Sequence, residues 1–242
     1  MTIGAMKPGF IVLSAATLLA AGCVTTKPFD ARAWSPRDSK AVVVKVSLNT
    51  KNAYVLEGNR VLLATPVTIG TPEHPTPKGG FKVFQKIADK RSSTYGFHVG
   101  EGTIRPGVVS ETPKGWRYVG FPMAYWVEFA PGYGFHAGGV WPQPRSHGCL
   151  RVHPTVAPKL FALCQVGTPV TIADSLPEDA TIGKAVTRPT DYADPDPPAA
   201  QLISDAAFSS LPKAAFEAEP ARMIQYRCQP HPHQKAAGAQ HE

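Results

Sequence analysis

One segment in the second half of the chain places a cysteine among residue types that activate a thiol. Cys149 follows Gly148, with His136 and His147 upstream and Arg151 two positions downstream. A histidine can take the thiol proton, a cation favours the thiolate, and a glycine lets the backbone turn so that N–H groups face a developing oxyanion. These residue types at this spacing indicate nucleophilic catalysis by a cysteine.

Two other interpretations of the same residues stay open at this point. Cys149 could be a small buried apolar residue or a disulfide partner. Alternatively, His147, Cys149 and His153 have the order His-x-Cys-x3-His, which supplies suitable ligand types for zinc, although no second cluster of ligands accompanies them.

The motif resembles that of a known enzyme family. Ser146-His147-Gly148-Cys149, preceded by His136, is similar to the signature of the L,D-transpeptidases with a YkuD-type catalytic domain. Two further stretches resemble the family in the same chain order: the turn Thr76-Pro77-Lys78-Gly79-Gly80-Phe81 and the closing strand Gly167-Thr168-Pro169-Val170-Thr171-Ile172. The interval from His136 to Cys149 is short for the family and resembles a short-loop subgroup of lipoproteins.

The resemblance implies a role for each matching residue. Cys149 would be the nucleophile, His136 the general base, and the backbone carbonyl of Ala137 the group that holds the imidazole. Backbone N–H groups around His147, Gly148 and Cys149 would form the oxyanion hole.

Four further residues are candidates for substrate binding. Ser146 would shape the loop, Arg151 would fix the loop or receive a substrate carboxylate, and Tyr133 and Trp141 could form walls of a groove.

The reaction implied by the resemblance is acyl transfer through a thioester on peptidoglycan stem peptides. An amine of another stem would give a 3-3 cross-link, and a lysine side chain would attach a protein to the wall. The chemistry needs no metal and no organic cofactor. Two alternatives remain: hydrolysis of the L,D-carboxypeptidase or amidase type at the same site, and a non-catalytic scaffold lipoprotein that binds the wall.

The elements that must position these residues are mostly strands. The 25 prolines and 21 glycines favour turn-rich β architecture over a helical bundle. Alternating or β-branched runs predict strands over 41–48, 52–56, 61–63, 64–69, 80–85, 124–129 and 168–173, and 154–163 is the best candidate for a helix. We therefore predict a mainly β fold, a YkuD-like β-sandwich or partial barrel with one or two short helices.

The N-terminus resembles a bacterial lipoprotein leader. Residues 1–22 carry one lysine, then a short apolar run, then small residues before Cys23, which would be acylated. Val24 rather than aspartate follows Cys23, and by resemblance to Gram-negative lipoprotein sorting this places the protein at the periplasmic face of the outer membrane. The lipid on Cys23 would be its contact with the membrane. The predicted organisation is a signal peptide over 1–22, a linker over 23–40, a catalytic domain over 41–173, and a largely extended or disordered Pro/Ala-rich tail over 174–242.

Charge and cysteine count add two expectations. The formal charge of +7 comes from scattered lysines and arginines with no basic run, so nucleic-acid binding is excluded as the function. Three cysteines remain beyond Cys23, an odd number for an exported protein. We predict that Cys164 pairs with Cys228, which would leave Cys149 free.

Overall fold

The computed structural model describes residues 29–192 and 197–218, and they contain ten strands and three short α-helices. The strands are β1 (Val42–Ser47), β2 (Asn52–Glu57), β3 (Arg60–Thr68), β4 (Gly79–Lys82), β5 (Gln85–Gly100), β6 (Thr103–Val108), β7 (Arg117–Ala130), β8 (Tyr133–Ala137), β9 (Leu150–Val152) and β10 (Pro169–Ala173). The helices are α1 (Ala157–Leu163), α2 (Ala199–Leu202) and α3 (Ala206–Ser209). The prediction of a mainly β fold with few helices is confirmed. None of the described helices is long and apolar enough to cross a membrane.

The strands form one open mixed sheet in the order β4-β10-β1-β2-β3-β9-β8-β7-β5-β6. The pairs β1–β10 and β8–β9 are parallel, and the other neighbours are antiparallel. Local sequence sets the first three strands, because β1 is rich in β-branched valines and Gly58 supplies the positive φ of the turn in which Glu57 pairs with Arg60.

The sheet curls so that its β4 end meets β7. The rings of Phe81 on β4 and Phe129 on β7 lie 5.4 Å apart, and the N–H of Phe84 donates to the carbonyl of Glu128 at 3.0 Å. One continuous core fills the curled sheet and is closed on one side by α1, whose Leu160 and Leu163 are buried. This partial closure brings distant parts of the chain around one cavity.

The chain on either side of residues 41–173 also packs on the sheet. The side chain of Lys159 on α1 is 7% exposed, and its ammonium donates to both carboxylate oxygens of Asp30 at 2.8 Å and to the carbonyl of Ala31 at 2.9 Å. Trp34 forms a parallel bridge with Glu217, so the two terminal segments also meet each other. The composition predicted a largely extended or disordered tail from residue 174 onwards, whereas its described parts contain short helices that contact the sheet.

The carboxylate of Asp179 shows how the first part of that segment is held. It accepts hydrogen bonds from the hydroxyls of Ser47 at 2.7 Å, Thr50 at 2.9 Å and Tyr54 at 2.8 Å. Three donors from β1, β2 and the turn between them therefore fix residues 177–180, which form a short 3-10 helix. The composition gave no sign of this anchoring because every partner is distant in sequence.

The predicted leader and one cysteine of the proposed disulfide fall in the undescribed ends of the chain. Residues 1–22, Cys23 and Cys228 lie outside the described residues. Cys164 is fully buried at the end of α1, and it forms no disulfide with any residue in the described ranges. Burial raises the pKa of its thiol to about 12.

Candidate active site

The parallel pairing of β8 with β9 brings the two residues of greatest chemical interest together. In this pair His136 lies opposite Arg151, and Cys149 directly precedes β9. Side chains two positions apart on a strand face the same way, so Cys149 and Arg151 point to the face that His136 also occupies. All three line one cavity of about 580 Å³.

Cys149 sits at the end of a tightly held loop. The Ser146 hydroxyl donates to the carbonyl of Cys149 at 2.6 Å and accepts from the N–H of Gly148 at 3.1 Å. The N–H groups of Arg145 and Ser146 both donate to the carbonyl of Ile69 at the end of β3, at 3.0 and 3.2 Å. The loop is therefore fixed by the carbonyl that follows β3 and by the hydroxyl of Ser146.

Thr76 from the turn motif clamps the same loop from another side. Its hydroxyl donates to the carbonyl of Gly148 at 2.9 Å and accepts from the N–H of Gly70 at 3.0 Å. Thr76 is 5% exposed, so both bonds are shielded from water. The threonine of the sequence motif is thus a structural partner of the loop that carries the cysteine.

Gly148 is required by conformation and by space. Its φ is +101°, which residues with a side chain rarely adopt, and a Cβ at this position would lie 2.4 Å from the ring of Tyr133. Its N–H is bound to Ser146, so in this structure it does not point into the cavity as a free donor. The N–H groups of His147 and Cys149 remain as candidates for the oxyanion hole.

His136 is held in the tautomer that a general base needs. Its Nδ1 lies 2.9 Å from the carbonyl oxygen of Ala137, which can only accept, so the bond assigns the proton to Nδ1 and leaves Nε2 free to take one. Burial, reinforced by the charge of Arg151, lowers the pKa of His136 to about 4, against the opposing effect of the Ala137 carbonyl. The imidazole is therefore neutral at pH 7.

Cys149 is also neutral in the resting site. Burial raises its pKa above the ordinary value, although a hydrogen bond from Gly134 and the charge of Arg151 lower it in part. The thiol contacts the carbonyl of Gly132 at 3.6 Å. The sequence suggested that nearby cations would favour the thiolate, but the effect of burial on the pKa of Cys149 outweighs the opposite effect of the Arg151 charge. The site therefore holds a thiol and a neutral imidazole.

The turn that contacts the thiol is fixed by Glu128, a residue that the sequence analysis missed. One carboxylate oxygen of Glu128 accepts from the N–H of Gly132 at 3.0 Å, and the other accepts from the indole N–H of Trp126 at 3.0 Å. Glu128 also contributes to raising the pKa of Cys149 by its negative charge. No sequence motif marked this position, because its partners lie within its own hairpin and carry no recognisable pattern.

His147 lies at the rim of the cavity between two other rings. It stacks on Tyr95 with ring centres 4.3 Å apart and lies 4.6 Å from His74. Partial burial and the neighbouring charges of His74 and Arg151 lower the pKa of His147. His147 therefore joins the cysteine loop to β5 and to the loop after β3.

The residues expected to form groove walls occupy different places. Tyr133 packs on Gly148, beside the loop. Trp141 is 7% exposed and lies between the guanidinium of Arg145, 3.8 Å from its ring centre, and the ring of Tyr192 at 4.6 Å. Neither aromatic side chain is among the described residues that line the cavity. The walls instead come from β5, β6, β7 and the C-terminal segment, namely Ser92, Tyr95, Gly96, Phe97, Pro106, Gly107, Val108, Phe121, Met123, Pro197, Ala199 and Leu202.

The alternative zinc site is not assembled. His153 points to other partners, with Nδ1 2.7 Å from the Thr155 hydroxyl and Nε2 3.3 Å from the Asp191 carboxylate. Within residues 29–192 and 197–218, no group of three or more histidine, cysteine, aspartate or glutamate side chains is placed to hold a metal ion. Cys149 forms no disulfide in these ranges either.

Comparison with solved structures finds L,D-transpeptidases at low identity. The match to an L,D-transpeptidase from Stackebrandtia nassauensis is 21% identical, covers 60% of this chain and 60% of that chain, and has a TM-score of 0.42. A crystal structure of an Enterococcus faecium L,D-transpeptidase mutant is 25% identical over 55% of this chain and 50% of that chain, with a TM-score of 0.41. The NMR structure of the catalytic domain from E. faecium L,D-transpeptidase is 26% identical over 55% of this chain and 98% of that chain, with a TM-score of 0.40.

The chain matches less than two thirds of the length of the S. nassauensis protein and of the E. faecium mutant. No curated protein matches the chain. The model of the YkuD family, described as the L,D-transpeptidase catalytic domain, matches residues 41–172, which is more than half of the chain. The sheet, the cysteine loop and the histidine opposite it all lie within these residues, and the chain belongs to the YkuD family of L,D-transpeptidase catalytic domains.

Proposed function

We propose that this protein is an acyltransferase that acts on peptidoglycan stem peptides through a thioester at Cys149. The observation that carries the proposal is the pair of side chains in the cavity: Cys149, and His136 with its Nδ1 bound to the Ala137 carbonyl at 2.9 Å. This arrangement leaves a neutral ring nitrogen free to act as a base beside a free thiol. Membership of the family supports the choice of substrate class.

The first half of the reaction transfers the stem peptide to sulfur. As the Cys149 sulfur attacks the carbonyl between the third residue of the stem and the following D-alanine, Nε2 of His136 takes the thiol proton. The carbonyl oxygen becomes an oxyanion, to which we assign the N–H groups of His147 and Cys149 as hydrogen-bond donors. The C–N bond then breaks, and the imidazolium returns the proton to the amine of the departing D-alanine.

The second half releases the acyl group. An acceptor amine attacks the thioester carbonyl, His136 takes a proton from that amine, and the C–S bond breaks. The sulfur recovers its proton from His136, so the site returns to a neutral thiol and a neutral imidazole. Since neither group is charged at rest, attack and proton transfer are coupled, and no thiolate–imidazolium pair has to persist in a buried site.

Arg151 is the cation nearest to this chemistry. It shares the face of the sheet with Cys149 and His136, and its charge lowers the pKa of both groups. A guanidinium in this place suits a carboxylate of the donor peptide, which would align the attacked carbonyl with the sulfur. The proposed acceptors are an amine of a second stem, giving a 3-3 cross-link, or a lysine side chain of a protein.

Turnover of a disaccharide-tetrapeptide tests the proposal. We expect loss of D-alanine and formation of a dimer in mass spectra with the unaltered protein, and neither with Cys149→Ala. The matched control is Cys164→Ala, which removes the other described thiol, buried at the end of α1, and should keep turnover. A tripeptide without a dimer would favour hydrolysis. Turnover by Cys149→Ala would contradict the proposal, and so would the absence of both turnover and an acyl adduct in the unaltered protein, which would favour the scaffold alternative.

We also propose that Cys23 carries a lipid that anchors the protein at the periplasmic face of the outer membrane. The leader-like residues 1–22 and the lipobox-like ending support this proposal. Cys23→Ser expressed in a Gram-negative host should move the protein from the detergent phase to the aqueous phase of a Triton extraction. An unchanged partition would contradict lipidation.

A further inference from the structure

The C-terminal segment of residues 197–211 contributes to the cavity although it lies beyond the family domain. The family model ends at residue 172, and Pro197, Ala199 and Leu202 nevertheless line the cavity that holds Cys149. The segment contains α2 and α3, which contact β6 and β7. Part of the cavity wall thus comes from residues outside the matched domain.

Arg91 on β5 holds this wall in place. Its guanidinium donates to the carbonyls of Leu202 and Ser204 at 2.9 Å each and to the carbonyl of Gly120 on β7 at 3.1 Å. The same guanidinium lies 4.8 Å from the ring centre of Phe208 on α3. Charged donors make the stronger kind of hydrogen bond, so the backbone of Leu202 is fixed relative to the sheet.

Leu202 lines two cavities. The first is the cavity of about 580 Å³ that contains Cys149, and the second has a volume of about 190 Å³. Phe121 and Arg151 also line both cavities. Several other residues that line the first cavity are apolar, among them Phe97, Val108 and Met123. The cavity therefore has an apolar wall, to which Leu202 belongs, besides the polar groups of Cys149 and Arg151.

The geometry points to Leu202 as a specificity-determining residue that limits the size of the side chain next to the attacked bond. This inference rests on the proposed function. Of the two stem residues that flank that bond, the third carries a polar side chain and the fourth carries only the methyl group of D-alanine. An apolar wall suits the methyl group, and the fixed Leu202 leaves less room for a branched side chain in its place.

Alkylation of Cys149 tests the size limit without any need for turnover. The probes are iodoacetamide, which is small, and N-cyclohexylmaleimide, which is bulky and apolar, with the modified cysteine identified by peptide mass mapping. The ratio of the alkylation rate with N-cyclohexylmaleimide to that with iodoacetamide is independent of any change in the thiolate fraction. We expect this ratio to rise about tenfold in Leu202→Ala and to fall in Leu202→Trp.

Leu211→Ala is the matched control for this series. Leu211 belongs to the same segment and lines only the second cavity, so its removal should leave the ratio unchanged. Equal ratios in the unaltered protein, Leu202→Ala, Leu202→Trp and Leu211→Ala would overturn the inference, because they would show that Leu202 does not limit access to the thiol.

A second experiment tests the specificity itself. Tetrapeptide donors that end in D-alanine or D-leucine are compared by kcat/KM, and Leu202→Ala should shift the preference toward D-leucine by about tenfold. If no donor is turned over by any variant while the alkylation ratios differ as expected, the proposed function fails and the size limit stands. If the donors are turned over and Leu202→Ala changes neither ratio, the inference is overturned while the proposed function stands.

Discussion

Thr76→Val removes one hydroxyl that joins two otherwise distant backbone segments. Valine has nearly the same shape as threonine, so the change leaves no cavity. It leaves the carbonyl of Gly148 without its donor at 2.9 Å and the N–H of Gly70 without its acceptor at 3.0 Å. A buried polar group that loses its partner costs about 1–3 kcal/mol, and two groups are affected, so the expected loss of stability is about 2–6 kcal/mol.

Urea unfolding followed by tryptophan fluorescence measures this loss. With a slope of about 2–3 kcal/mol per molar urea, the midpoint should fall by roughly 1 M or more. The matched control is Thr103→Val, since the Thr103 hydroxyl donates to the carbonyl of Gly100 at 3.2 Å in an exposed turn where water can replace it. If the two variants shift the midpoint equally, the clamp between the turn motif and the cysteine loop does not stabilise the fold, and the reasoning is refuted.

Three further predictions follow from the same structure. Because the pKa of His136 is lowered to about 4, the imidazole stays a neutral base above that pH, and turnover should fall on the acid side near pH 4; an inflection near the ordinary 6.5 in the pH–rate profile would contradict this. Gly148→Ala should lower the free energy of unfolding in urea by about 1–3 kcal/mol more than Gly102→Ala. Both glycines have a positive φ, but only a Cβ at Gly148 meets the ring of Tyr133; equal losses of stability would refute the contact. Asp30→Ala should lower the free energy of unfolding by about 1 kcal/mol more than Lys159→Met, because it leaves the buried ammonium of Lys159 without its carboxylate; thermal unfolding measures the difference, and the opposite order would show that the pair does not act in this way.

The family and the first strands could be predicted because their signals are local. The cysteine motif is contiguous, and β1 to β3 follow from β-branched runs and a turn at Gly58. Pairing of β8 with β9 then explains why His136 and Cys149, which are separated in sequence, share one face of the sheet.

The walls of the cavity could not be predicted because their signals are not local. Most residues of β5 are polar, and its three buried residues are consecutive, so its side chains show no clear alternation. Pairing with β6 and β7 defines the strand instead. The C-terminal segment has few large apolar residues, and it is held by Arg91, more than a hundred positions earlier in the chain. Composition alone cannot reveal such a partner.

The ionisation of the site was equally beyond the sequence. The residue types suggested a thiolate favoured by cations, whereas burial raises the pKa of Cys149 and lowers that of His136. Both shifts follow first from burial of the two groups, which is set by tertiary packing.

The central claim is that Cys149 forms a thioester with the stem peptide. The most direct measurement is the intact mass of the protein during incubation with a disaccharide-tetrapeptide and no acceptor, followed by peptide mapping. We predict an added mass equal to the donor without its terminal D-alanine, located on Cys149 and released by hydroxylamine. Turnover of the donor with no adduct on Cys149, or with an adduct on another residue, would contradict the account.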